Sequence, residues 1–231
     1  MKKGFLIISI VIVALSFNVS CNNANKNKQQ QQQEQQPQPT KTYLFKGNLE
    51  NWVLKVADET VDPYTIFTVE NDSIIHVKGD PFGYMRTADV YSNYKLHVEY
   101  CYPFELSNSG VFVHMQEPDN VWPVCIENQL AAGSAGMFVL MNGANANEAD
   151  QEKAAQKVEF NVIQKQADSF EKAQGDWNTI EIICQGDQIT NYVNGVLQNK
   201  ATGLNITEGH ICLQSEGKDI LFKNVYITKL Y

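Results

Sequence analysis

Through most of this chain apolar side chains recur at every second position, in short runs broken by turn residues. Leu96, Val98, Tyr100 and Tyr102 alternate with Lys95, His97 and Glu99. Successive side chains of an extended backbone point to opposite faces, so such a run has one face that must be buried against another layer. Ile211, Leu213 and Ser215 oppose His210, Cys212, Gln214 and Glu216 in the same way. Thr179 to Cys184 and Ile189 to Leu197 are further strand runs separated by Gln185-Gly186-Asp187, and Asn194-Gly195 is a tight-turn signal because both residues tolerate positive φ. At the C-terminal end Leu221, Val225 and Ile227 are expected on one face. Many short strands in series point to an all-β antiparallel sandwich. Glu148 to Lys157 reads as helical, but it is too short and polar for a core element and is expected to decorate a loop.

The stretch from Asn108 to Leu130 combines this alternation with chemistry. Val111, Val113 and Met115 share one face, and Phe112 and His114 the other. Val124, Ile126 and Leu130 oppose Cys125, Glu127 and Gln129. An aromatic, an imidazole, a carboxylate and an amide are thereby offered to one surface, which is either a solvated sheet face or the wall of a pocket. Trp122, just before Pro123, either stacks on a ligand ring or braces the turn. Cys125 has no activating neighbour in the sequence and is expected to pack.

The N-terminus has Lys2 and Lys3, an apolar run from Phe5 to Phe17, and small residues before Cys21. That run is shorter than the ~20 residues of a membrane-spanning helix. The pattern resembles a bacterial lipoprotein signal, residues 1–20, with Cys21 as the lipidated residue. Residues 21–41, rich in Gln and Asn with Pro37 and Pro39, read as a tether with little to bury. The expected location is the cell envelope, lipid-anchored and facing the periplasm. Residues 42–231 read as one domain.

The chain carries a net charge of −8, and residues 1–41 hold five lysines against one glutamate, so residues 42–231 carry −12. Nucleic acid and anionic membrane are poor partners for such a body, whereas a neutral sugar is indifferent to its sign. Apart from Cys21 there are Cys101, Cys125, Cys184 and Cys212, each inside an apolar or alternating run. Buried free thiols are favoured over two disulfides. No zinc-type spacing is present, and His76, His97, His114 and His210 lie far apart in sequence.

Seven short blocks give the body a family resemblance. They are Gly83-Tyr84-Met85-Arg86-Thr87, Asn108-Ser109-Gly110-Val111-Phe112, Ile126-Glu127-Asn128-Gln129-Leu130, Asp176-Trp177-Asn178, Val193-Asn194-Gly195, Leu213-Gln214-Ser215-Glu216-Gly217 and Phe222-Lys223-Asn224-Val225. In this order they resemble the 3-keto-disaccharide hydrolase family over nearly all of Leu44 to Leu230. The resemblance implies a jelly-roll sandwich of the concanavalin A-like lectin and glucanase type, with its ligand site on a concave sheet face. It also implies action on glycosides oxidised to a ketone at carbon 3. Glu127 matches the acidic position of the family's Glu-x-Gln block, with Gln129 as its companion. Arg86, Gln214 and Glu216 are implied as rim or wall residues. Asn108 and Ser109 are either site or turn residues, and Trp177 and Asn178 are read as structural. Met137 departs from the family pattern, which has aspartate there.

A ketone at carbon 3 acidifies the proton on carbon 2, so a base can remove it and the enolate can expel the oxygen on carbon 1. Glu127 or His114 is the expected base, Arg86 or a bound divalent cation the enolate stabiliser, and Glu216 the aid to the leaving group. Two other readings stay open at this point. One is an ordinary glycosidase working through Glu127 and Glu216. The other is a non-catalytic carbohydrate-binding lipoprotein, since the same sandwich serves lectins.

Overall fold

The computed structural model describes residues 40–231, so the expected signal, Cys21 and the tether to residue 39 lie outside the described residues. Fifteen strands follow in chain order: β1 Lys41–Tyr43, β2 Trp52–Val56, β3 Phe67–Glu70, β4 Ile74–Val77, β5 Gly83–Thr87, β6 Tyr94–Cys101, β7 Gly110–Met115 and β8 Cys125–Gln129, then β9 Phe138–Met141, β10 Phe160–Ile163, β11 Asn178–Gln185, β12 Gln188–Val193, β13 Val196–Ala201, β14 His210–Ser215 and β15 Ile220–Lys229. They form two antiparallel sheets. One runs β13-β12-β11-β6-β15-β4-β3 with β1 added alongside β15, and the other runs β10-β9-β8-β7-β14-β5-β2. The expected sandwich is thus the observed one.

The inward faces are those the alternation assigns. Leu96, Val98 and Tyr100 of β6 and Ile180 and Ile182 of β11 pack in one buried cluster with Val111, Val113, Ile126 and Leu213 from the opposite sheet. Asn194 and Gly195 both have positive φ in the two-residue turn between β12 and β13, as a hairpin that follows the twist of its strands requires. The helical stretch contracts to α1, Gln151–Ala155, capped by Asp150 and without a buried residue. All four cysteines of the domain are buried and unbonded.

Two bulges overturn the simple alternation. In β15 the partners of Glu99 and His97 are Lys223 and Tyr226, so β15 has one residue more than β6 at that point, and Asn224 takes a left-handed φ of 51°. The extra residue reverses the faces on either side of it. Val225 and Ile227 are buried with Ile220 and Phe222, while Leu221 is half-exposed on the other side, contrary to the expectation that it shares their face.

In β7 the partners of His210 and Cys212 are Met115 and Phe112, and His114 has φ 53°. Met115 therefore joins Phe112 on the outer face, and the expected grouping of Phe112 with His114 fails. His114 is fully buried, its ring meeting Tyr94 of the other sheet edge-on at 6.3 Å and its Nδ1–H donating to the carbonyl of Ile206 at 3.1 Å.

The bulge at Asn224 has a measurable signature. Phe222→Ala should lower the unfolding free energy by about 3–5 kcal/mol, and Leu221→Ala, one residue earlier, by less than about 1 kcal/mol. Chemical denaturation of the two variants reads the difference.

Candidate functional site

The outer face of the seven-stranded sheet holds a cavity of about 370 Å³ over β7 to β10, reached also by the residues flanking β7 and β14. Glu127 and Gln129 project into it from β8, Asn108 from the approach to β7, and Glu216 from the residue after β14. Trp122 and Phe160 form an aromatic wall with ring centroids 5.8 Å apart, and Phe82 meets Trp122 from the far side at 5.5 Å. Of the expected site residues, the fold brings Glu127, Gln129, Trp122, Glu216 and Asn108 to this one cavity. Glu159, Phe160 and Val162 of the same lining were not foreseen. The signal available for the last two was their shared face on β10, 40–41 % exposed where a sheet face is normally polar.

Gly110 makes room for the chemistry. A side chain there would collide with the Glu127 carboxyl and come within 2.9 Å of Gln214 Oε1, so both groups lie over the space that glycine leaves. Gln214 Nε2 donates to Glu216 Oε2 at 2.8 Å, which fixes the amide beside the second carboxyl. Gln129 is half committed, since its Oε1 accepts from the backbone N–H groups of Leu130 and Ala131 at 2.9 and 2.8 Å. Its NH2 group has no acceptor among the described residues and is left for a ligand. Met137 stands across from Gln129, joined through Gln129 N–H to Met137 C=O at 3.0 Å. An apolar residue therefore occupies the border position where the resemblance implies aspartate.

Electrostatics single out the two carboxyls. Burial, followed by the nearby Glu216 charge, pushes the Glu127 carboxyl well above its ordinary range. Burial also raises Glu216, but hydrogen bonds from Gln214 and Asn108 to the charged form hold it back. Glu127 Oε1, Gln214 Oε1 and Asn108 Oδ1 are all buried without a partner among the described residues. Leaving one such acceptor dry costs about 1–3 kcal/mol, so two on residues of the cavity lining, Glu127 and Asn108, with Gln214 beside them, suit a ligand that brings donors. The lining has three glutamates and no Lys, Arg or His. Sugar hydroxyls supply donors without charge. The all-oxygen set is also of the hard type a divalent cation takes, although among the described residues no three His, Cys, Asp or Glu side chains converge.

Two expected participants are elsewhere. His114 is turned into the sandwich by its bulge and does not face the cavity. Arg86, Cys212, Phe112 and Glu127 are successive register partners across the sheet, so Arg86 is three strands from Glu127, on the order of 14 Å at the usual strand spacing. Its guanidinium is occupied: Nε donates to Asp119 Oδ1 at 2.6 Å, and Nη2 to Asp119 Oδ2 at 3.0 Å and Glu117 Oε1 at 2.8 Å. The Arg86 bond holds Asp119 below the ordinary carboxylate range. Tyr84 adds a bond to the carbonyl of Asn120 at 3.0 Å. Arg86 is therefore the anchor of the loop that carries Trp122, whose own carbonyl is held by Asn142 Nδ2 at 2.8 Å. Phe112, Met115, Cys125 and Cys212 form an apolar floor between this anchor and the acidic end. Cys125 packs there, as its sequence context suggests, with burial raising its thiol.

Residues 40–228 match the family profile described as a 3-keto-alpha-glucoside-1,2-lyase-like domain. No curated protein matches the chain significantly in sequence. Among solved structures, a candidate glycosyl hydrolase from Parabacteroides distasonis superposes with a TM-score of 0.59 at 21 % identity, covering 83 % of this chain and all of the other. A β-glucanase from Bacillus licheniformis gives 0.54 at 13 % identity, covering 82 % and 97 %. A carbohydrate-binding module from Bacillus subtilis gives 0.57 at 10 %, covering 78 % and 96 %. At these identities the likeness is one of fold, the jelly-roll sandwich common to all three.

Two experiments test the displaced residues. Arg86→Met should cost about 2–3 kcal/mol, less than a fully buried pair because Glu117 is mostly exposed. It should also speed amide exchange across residues 117–122, read by mass spectrometry. Burial lowers the His114 imidazole from its ordinary value. The folded chain therefore releases that proton more readily than the unfolded one, and stability is full above the unfolded value of ~6.5 and falls as pH drops below it. His114→Asn, which tolerates left-handed backbone, should flatten the fall below about pH 6.5 in thermal melts.

Proposed function

Because this chain belongs to the 3-keto-alpha-glucoside-1,2-lyase-like family, we propose that it cleaves the glycosidic bond of 3-keto-glycosides in the Glu127 cavity, by elimination followed by hydration. The observation that carries this reading is the pair Glu127 and Glu216, two carboxyls in one cavity that no Lys, Arg or His lines, and whose surroundings set them apart. Two titratable groups pushed apart in this way are an acid and a base. Glu127, deeply buried, keeps its proton and is the acid. Glu216, also raised by burial but less so because Gln214 and Asn108 hydrogen-bond its charged form, is the base. This reverses the roles expected from the sequence, where burial was not visible.

In the proposed reaction Glu216 takes the proton from carbon 2. The electrons of that C–H bond form the enolate, its charge on the carbon 3 oxygen. The Gln129 NH2 group, oriented by the backbone bonds to its oxygen, donates to that oxygen as a neutral stabiliser. Collapse of the enolate makes the carbon 1–carbon 2 double bond and breaks the bond from carbon 1 to the leaving oxygen, which receives the Glu127 proton. Water then adds across the double bond to give the free 3-keto sugar, while the other product is the released alcohol. Trp122 and Phe160 offer an apolar wall to a pyranose face. A divalent cation, when bound, would be held by the Glu216 carboxylate and the amide oxygens of Gln214 and Asn108, and would polarise the ketone.

The same carboxyl pair supports a second reading, direct hydrolysis of unoxidised glycosides through two carboxylates. The two differ in one bond. Elimination breaks the carbon 2–hydrogen bond, so a 3-keto-disaccharide cleaved in D2O should carry deuterium at carbon 2 of the product, read by NMR. Cleavage of native disaccharide alone, without deuterium, would establish the second reading in place of the first.

Glu127→Gln should lower turnover by about 10²–10⁴-fold, and the wild-type rate should decline as pH rises through the elevated Glu127 value. The same substitution should be stabilising. With the folded value raised, the stability contributed by neutral Glu127 is full below the unfolded range near ~4.3 and is lost as pH rises. Glutamine does not ionise, so the thermal midpoint of Glu127→Gln at neutral pH should exceed that of the wild type.

A further inference from the structure

A second cavity, about 450 Å³, lies at the end of the sandwich and takes no part in the chemistry above. It is lined by Leu106, Gly133, Lys165, Asp168, Phe170 and Lys172 among others. Both cavities are built from the same two chain segments. Asn108 faces the first and Leu106 the second, while Gln129 faces the first and Ala132 the second. Between them Ala132 N–H donates to the carbonyl of Ser107 at 2.9 Å, so a single bonded ridge separates the two spaces.

Phe170 is the unusual residue of this cavity. Its side chain is in the open, 66 % exposed, and its backbone is left-handed at φ 47°. Such a conformation is unfavourable for a bulky residue, and an exposed ring gains nothing from the core. The surrounding structure nevertheless holds it firmly. Phe170 N–H donates to Asp168 Oδ1 at 2.9 Å, and Asn194 Nδ2 donates to Phe170 C=O at 3.0 Å. On either side Lys165 Nζ donates to Ser169 Oγ, Ser169 Oγ to Glu171 Oε2, and Lys172 N–H to Asn178 Oδ1, at 2.9, 2.9 and 2.8 Å. Glu171 Oε2 also accepts from Gly133 N–H at 3.0 Å, which ties the segment to the ridge. Strain that the neighbours enforce, at a residue packing does not need, marks a surface shaped for a ligand.

We propose that this flank is a second carbohydrate subsite, in which Phe170 stacks on an outer ring of an oligosaccharide whose oxidised ring occupies the Glu127 cavity. The proposal rests on the glycoside reading above and names the substrate class as oligosaccharides longer than two rings. An exposed aromatic ring supplies the apolar face a pyranose requires. Lys165 and Lys172 with Asp168 and Glu171 supply donors and acceptors of balanced charge, which suits a neutral polyol better than an ion. The two cavities draw on neighbouring residues of the same two segments, as one ligand reaching both requires.

Titration calorimetry on Glu127→Gln protein, which leaves substrate intact, tests the proposal. The probes are disaccharides and tetrasaccharides of the cello-, laminari- and malto- series, each oxidised at carbon 3 of the non-reducing ring. At least one tetrasaccharide should bind about tenfold more tightly than its disaccharide. Adding Phe170→Gly should abolish that gain and leave disaccharide affinity unchanged. Because glycine accepts positive φ, the same variant should melt at a higher temperature than its parent, which separates lost binding from lost folding. Disaccharides that bind with no gain on lengthening, or a gain that survives Phe170→Gly, would overturn the subsite alone. Failure of every sugar to bind would overturn the glycoside reading with it.

Discussion

The apolar layer between the two sheets, contributed by residues such as Phe67, Ile75, Leu96 and Ile182 on one side and Val113, Ile126 and Leu213 on the other, decides what each strand leaves outside. Once Ile126 is committed inward, Glu127 is committed outward, because neighbouring side chains on a strand cannot share a face. The site is therefore the complement of the core. The outer face of the seven-stranded sheet is itself divided into an Arg86–Asp119 anchor, an apolar floor and an acidic end. That division follows from which residue types occupy the outward positions of β5, β14, β7 and β8.

Much of this was legible because period-two patterning survives wherever strands are regular. Glu127 and Gln129 on β8, and Gln214 on β14, lie on the outward face that alternation assigns them for that reason. His114 and Leu221 were misplaced for the opposite reason. Each lies in or near a bulge whose extra residue, left-handed at His114 or Asn224, shifts the face count by one, and a single histidine or asparagine does not announce a bulge in sequence. Arg86 was expected as a rim residue and enolate stabiliser, a role it is not free to play, since its partners Glu117 and Asp119 come from a loop about thirty residues away. Short-range pattern has no access to a contact of that range. Phe160 and Phe170 went unnoticed because an exposed aromatic ring is recognised only after burial is known.

The acidic end is kept at a cost in stability. A carboxyl as buried as Glu127, next to a second carboxyl and with unpaired amide oxygens around it, is what core packing alone would remove. Its persistence over a glycine that makes the space for it is the mark of a site in which ligand donors complete the hydrogen bonding. Fold likeness to lectin-like modules and glucanases leaves that distinction open. The buried acid argues for chemistry beyond simple adhesion.

The four thiols of the domain have a consequence of a different kind. Burial raises each of Cys101, Cys125, Cys184 and Cys212 above its ordinary value and withholds the thiolate that any exchange reaction needs. Among the described residues no disulfide joins the strands, so the sandwich owes its shape to packing and hydrogen bonding, which a change between a reducing and an oxidising milieu leaves in place.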